Sequence, residues 1–195
     1  GWGNTVIGKR IVEDNDSRLN QQRGQIELDN SVKEKEVEKQ VKVAENTPVS
    51  FTDPVTGAVA TASVTDAKNN VSEYEKSVKE LKELEKAETE LTRISSIPAA
   101  NLMPEDAEKI PGLREKIRTL KPKYTDPSTG LTYTSRFAED ELKRSKNLLA
   151  GLMLSAPYQG MLRSTEVIRS EIEDNKKKSK DLKEQIRLER EQAED

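Results

Sequence analysis

The sequence predicts a mainly α-helical protein: an elongated, coiled-coil chain with two short β-hairpins produced by an internal helix-hairpin-helix duplication. Three observations lead there. Phe51-Thr52-Asp53-Pro54-Val55-Thr56-Gly57 returns 73 positions later as Tyr124-Thr125-Asp126-Pro127-Ser128-Thr129-Gly130. Apolar residues recur at gaps of three and four through charge-rich segments, the mark of a narrow helical stripe. Only 32% of the 195 residues are hydrophobic and 35% are charged, whereas a globular domain carries roughly 45–50% apolar residues. A large compact core is therefore not expected.

Residues 1–16 read as an extended arm of small residues with one short apolar stretch. Trp2, the sole tryptophan, is either a loose end or a knob that docks into a neighbouring subunit. Ser17, a good N-cap residue, opens a helix to about Asn46 with a ragged inward stripe at Leu19, Ile26, Val37, Val41 and Ala44. Thr47-Pro48 ends it, because the residue before proline is pushed out of the helical region and the ring cannot continue the ladder.

Each Asp-Pro-x-Thr-Gly segment is a turn with a mechanism: Pro presets φ, Asp bonds the turn backbone, and Gly accepts a left-handed residue. A five-residue loop pairing Thr52 with Ala58 sets Phe51 against Val59 and Val49 against Thr61. The same register in the second copy sets Tyr124 against Thr132 and Lys123 against Tyr133. Isolated two-stranded hairpins are marginal in water, so both are expected to pack on each other, on the helices, or on another chain by edge pairing. Turn and following helix together resemble the hairpin that opens plakin-type repeats. That resemblance is confined to the turn and its flanks, and no function comes with it.

The clearest helix runs from about Thr65 to Ser96, with Val71, Tyr74, Val78, Leu81, Leu84, Ala87, Leu91 and Ile94 forming a heptad seam with one three-residue insertion. Residues 97–110 read as a linker, and Pro111 as the first residue of a short helix to Leu120. After the second hairpin a helix carries Ala138, Leu142, Ser145, Leu149, Leu152 and Ala156. Pro157 is expected to break it, and a last helix from about Thr165 has its seam at Ile168, Ile172, Asn175, Ser179, Leu182 and Ile186. Asn175 is a polar seam residue of the kind that sets register and oligomer state. The expected organisation is an arm over 1–16, a helix-hairpin-helix unit over 17–96, the linker 97–110, and a second unit over 111–195 ending in a coiled-coil helix.

Chemistry is constrained by what is missing. With no histidine and no cysteine, the chain lacks thiolate metal sites, thiol nucleophiles and the commonest general acid/base, and no catalytic, cofactor or metal residues are assigned. Basic and acidic residues, 33 and 36, are finely mixed, so no general attraction to nucleic acid is expected. The opening is not read as a signal peptide, no apolar stretch reaches 18 residues, and the compartment stays open.

The longest uncharged stretch, 147–162, contains Leu148, Leu149, Leu152, Met153 and Leu154. It reads as a buried helix and elbow, with a lipid-touching tip or a peptide groove as alternatives. The expected function is that of a structural or assembly protein, not an enzyme: a coiled-coil homo-oligomeric component of a larger particle such as a virion. Its hairpins would make lateral contacts, and Trp2, Phe51, Tyr124, Leu148, Leu149, Leu152, Met153, Leu154 and Asn175 are the candidate contact residues. The alternative is a membrane-active or ejected protein that inserts the 147–162 elbow into lipid.

Overall fold

The structure is a computed structural model and describes residues 6–194. Among these it is mainly helical, with five α-helices and one two-stranded antiparallel hairpin. In chain order the elements are α1 (Val6–Asn46), β1 (Val49–Thr52), β2 (Val59–Ala62), α2 (Val64–Ser95), α3 (Pro104–Leu120), α4 (Ser135–Leu154) and α5 (Ala156–Glu194). Contacts divide the chain into two compact units, residues 48–155 and the pair of end segments 1–47 and 156–195.

The unit of the chain ends pairs α1 with α5 in antiparallel sense: Gln40 meets Ser164, Lys33 meets Glu171, and Asp16 meets Arg190. The buried side chains of α5 fall on every seventh position, Tyr158, Thr165, Ile172, Ser179 and Ile186, with Ile168, Asn175 and Leu182 half-buried between them. That is the expected seam, extended toward the start of the helix. The α1 side is supplied by Leu19, Asn30 and Ala44, buried, and by Ile26, Val37 and Val41, half-buried. Its helix begins well before Ser17, because buried Gly8 and half-buried Val12 carry the same inward stripe back through the segment expected to be an extended arm. Trp2 lies outside the described residues. At the other helix, the break expected at Pro157 comes two residues earlier. The break falls on Ser155, which is extended, and Pro157 sits in the first turn of α5, where its missing N–H has no helical partner to lose.

In the unit over 48–155, α2 is the spine. Every residue of its expected seam is buried or half-buried. Arg93 reaches Asp106 at 2.9 Å and Lys121 reaches Glu88 at 3.3 Å, so α3 runs antiparallel along the C-terminal half of α2. Lys82–Glu139 at 2.7 Å and the Ser135 N–H on Glu85 at 2.7 Å place the start of α4 at mid-α2. Leu81, Leu84, Leu120 and Ala138 bury one another where the three helices meet, covered by Val78, Ile117 and Tyr124. Residues 97–110 are not a plain linker. Ala99–Asn101 form a 3-10 turn, and α3 starts at Pro104, with Glu105 and Asp106 favourably placed in its first turn. Pro111 is therefore inside the helix, on its exposed face.

Candidate functional site

The two turns share one hydrogen-bond pattern. In the first, the Asp53 N–H donates to Ala58 O (2.8 Å), Gly57 N–H to Asp53 O (2.9 Å), Val55 N–H to Asp53 Oδ1 (2.9 Å) and Ala58 N–H to Thr56 Oγ1 (3.3 Å). In the second, Asp126 N–H donates to Leu131 O (2.9 Å), Gly130 N–H to Asp126 O (2.7 Å), Ser128 N–H to Asp126 Oδ1 (2.9 Å) and Leu131 N–H to Thr129 Oγ1 (3.3 Å). Gly57 and Gly130 take φ of +72° and +71°, the left-handed residue the sequence demands. Asp53 and Asp126 are both held below the usual carboxylate range, Asp53 chiefly by the Val55 N–H and Asp126 chiefly by the Ser128 hydroxyl.

The register differs from the expected one by a residue. Asp53 closes on Ala58, so Thr52 pairs with Val59, Phe51 with Ala60 and Val49 with Ala62. The loop is four residues, because the Asp backbone joins the ladder as well as its side chain bonding the turn. In the second copy the same register survives only as the bridge Thr125↔Thr132 and a Tyr133 N–H to Tyr124 O bond of 2.9 Å. A 3-10 turn over Lys121–Tyr124 precedes it and the helix cap Thr134 follows immediately, so no ladder can grow.

What surrounds each turn also differs. The first lies on α4: a Cβ on Gly151 would meet Pro54 Cδ at 2.6 Å and Cγ at 3.0 Å, and the Phe51 ring at 3.8 Å. Phe51 is buried there, and its apolar surface is spent inside the unit. The second is tied to α2 through Glu80, whose carboxylate accepts from Tyr124 Oη (3.0 Å) and from Lys123 Nζ (3.3 Å). Burial pushes the Glu80 carboxyl up, but the bonds from Tyr124 and Lys123 outweigh it and leave it below its ordinary value. Burial also raises the Tyr124 phenol. Beyond that tie, Leu131 (71% exposed), Tyr133 (50%) and Phe137 (47%) stand bare, with the Tyr133 and Phe137 rings stacked at 5.2 Å between centroids.

Of the candidate contact residues in α4, Leu152 is fully buried, Leu148 and Leu149 are half-buried, and Met153 and Leu154 are exposed, Leu154 at 79%. Asn175 is half-buried and bonds Asn30 Oδ1 (2.8 Å) and Asp29 Oδ2 (2.9 Å) of α1. Sequence reasoning missed Leu131, Tyr133 and Phe137 as a patch. The available signal was the aromatic pair four apart across the cap Thr134, obscured by the off-by-one register that turned Tyr133 toward Lys123.

The concavities among the described residues are open grooves along helix faces. Among the described residues no group of three or more acidic side chains is placed to hold a metal ion, and no helix is long and apolar enough to cross a membrane. Comparison with protein-family models, with curated proteins and with solved structures finds no match for the chain.

Proposed function

We propose that this protein is a structural or assembly component that acts by forming a homo-oligomer within a larger particle, a virion being the favoured setting, with coiled-coil helices as its frame and the second turn as a lateral contact. The observation that carries this reading is the bare Leu131, Tyr133 and Phe137 patch. Three large apolar side chains, two of them stacked, are fixed by a rigid turn and a helix cap and left open to water. Exposed apolar clusters of this kind mark protein contact surfaces, and stacked aromatics are typical anchors of such contacts. The helices support the reading through their narrow stripes, which spread little apolar area over long elements.

The test is the solution mass of the purified chain by light scattering after size exclusion, across a hundredfold range of concentration. A defined multiple of 21.9 kDa upholds the assembly reading; a monomer throughout overturns it.

A second reading, insertion of the 147–162 elbow into lipid, draws support from exposed Leu154. It requires Leu152, fully buried on α4, to come free. Liposome flotation of the wild-type chain and of Leu154→Asp tests it: flotation lost in the variant sustains insertion, and no flotation at all removes it.

A further inference from the structure

We infer that the flanks of the α1–α5 pair carry a charge pattern that selects the antiparallel pairing of α1 with α5 and disfavours pairing like with like. One groove beside the seam has Glu27 and Glu34 of α1 on one wall and Lys176, Lys180 and Lys183 of α5 on the other. Farther along, Arg190 bonds Asp16 at 2.8 Å with the same polarity, acid on α1 and base on α5. Arg23 is the exception on the acidic wall, and it lies against Glu27 within its own helix.

On the opposite flank one ion pair has the reverse polarity, base on α1 and acid on α5. Successive helix residues are about 100° apart, so Lys33 and Glu34 fall on either side of the seam residue Asn30. Lys33 bonds Glu171 of α5 at 3.1 Å and Asp29 at 3.0 Å. The level of the pair is marked between the flanks, where Asn30 Nδ2 donates to Ile172 O (3.2 Å) and Asn175 Nδ2 to Asn30 Oδ1 (2.8 Å).

Because the lysine wall lies on one flank and the Lys33–Glu171 pair on the other, direction matters. Reversing α5 would bring its lysines to Lys33 and would set Glu171 against Glu27 and Glu34. Two α5 helices paired antiparallel would place lysine wall on lysine wall, and two α1 helices would oppose Glu27 and Glu34 with their copies. Flank charges decide partner choice in this way. This seam is poor in large apolar side chains, since Asn30, Thr165 and Ser179 are among its buried residues, so charge at its edges weighs more in the stability of the pair. The helix that fits the lysine wall of α5 is thus an antiparallel helix with an acidic wall, which this chain supplies in α1. The inference does not depend on the assembly reading.

The experiment uses the full chain in three forms: wild type, Lys176→Glu/Lys180→Glu/Lys183→Glu, and the same triple variant with Glu27→Lys and Glu34→Lys added. Thermal midpoints are read at low salt and at about 1 M salt, where the screening length falls to roughly 3 Å. The triple variant is expected to melt about 3–8 °C lower at low salt. The five-substitution chain is expected to recover most of that fall, and the difference between the two to shrink at high salt. The recovery isolates the cross-helix effect, since Lys176→Glu also faces Glu173 on its own helix, 3.5 Å away in the wild type. An unchanged midpoint in the triple variant, or a five-substitution chain no more stable than the triple, overturns the inference. If the triple variant does not fold, folding of the five-substitution chain upholds it and failure of both overturns it.

Discussion

The two Asp-Pro-x-Thr-Gly turns have the same backbone and different surroundings. Turn conformation is local: Asp, Thr and Gly make the same bonds to the backbone in both copies, and Asp126 adds one from the Ser128 hydroxyl. Everything beyond the turn is set by its flanks. After the first, four residues separate Ala58 from the cap Ser63, enough for a strand, and the opposing helix offers a glycine for Pro54 to lie on. After the second, only Thr132 and Tyr133 intervene between Leu131 and the cap Thr134, so the chain passes straight into α4 and leaves its apolar side chains uncovered. One motif thereby yields an internal packing element in one place and an open surface in the other.

Six substitutions break or sharpen that difference, beginning with the largest expected effect. Gly151→Ala puts a methyl group where the Pro54 ring lies and should cost about 1–3 kcal/mol through overpacking. Urea unfolding reads the loss, and amide exchange should show the β1–β2 amides losing protection while those of 125–133 keep theirs. Gly57→Ala and Gly130→Ala meet no neighbouring atoms within 4 Å, so only the positive φ is strained. Each should cost about 1–2 kcal/mol, and the two losses should match; a clear mismatch would show that the turns are not equivalent.

Tyr124→Phe removes the hydroxyl that bonds Glu80 and also contacts Ser77 and should cost about 1 kcal/mol, with the β1–β2 amides unaffected. The smallest effect belongs to acid. Asp53 and Asp126 have folded values below their ordinary one, so the stability they contribute is present above the unfolded carboxyl range, near about pH 4. It is lost as pH falls through the lower folded values. Asp53→Asn and Asp126→Asn should each flatten the acid limb of the thermal midpoint by similar amounts.

Much of the fold is legible in the sequence because it follows periodicity. The seam of α2, from Val71 to Ile94, and that of α5, from Ile168 to Ile186, are the residues that turn inward. The departures lie at two prolines expected to mark helix boundaries and at the opening segment expected to be an arm. Pro111 lies inside α3 and Pro157 inside the first turn of α5, since proline on an exposed face or in a first turn loses little. Gly8 lies within α1 and is buried. The candidate contact residues divide the same way. Phe51 and Leu152 are buried inside their own unit, Met153 and Leu154 are exposed, and the open patch depends on hairpin register and cap position, which composition and periodicity do not carry.

The central proposal is that the open second turn is the contact through which chains assemble, and sedimentation velocity on the wild-type chain and on a Tyr133→Ser/Phe137→Ser variant tests it most directly. Wild type should sediment as a defined oligomer and the variant as a folded species of lower mass, with the helical circular dichroism of the two unchanged. An oligomer that persists in the folded variant would contradict the proposal.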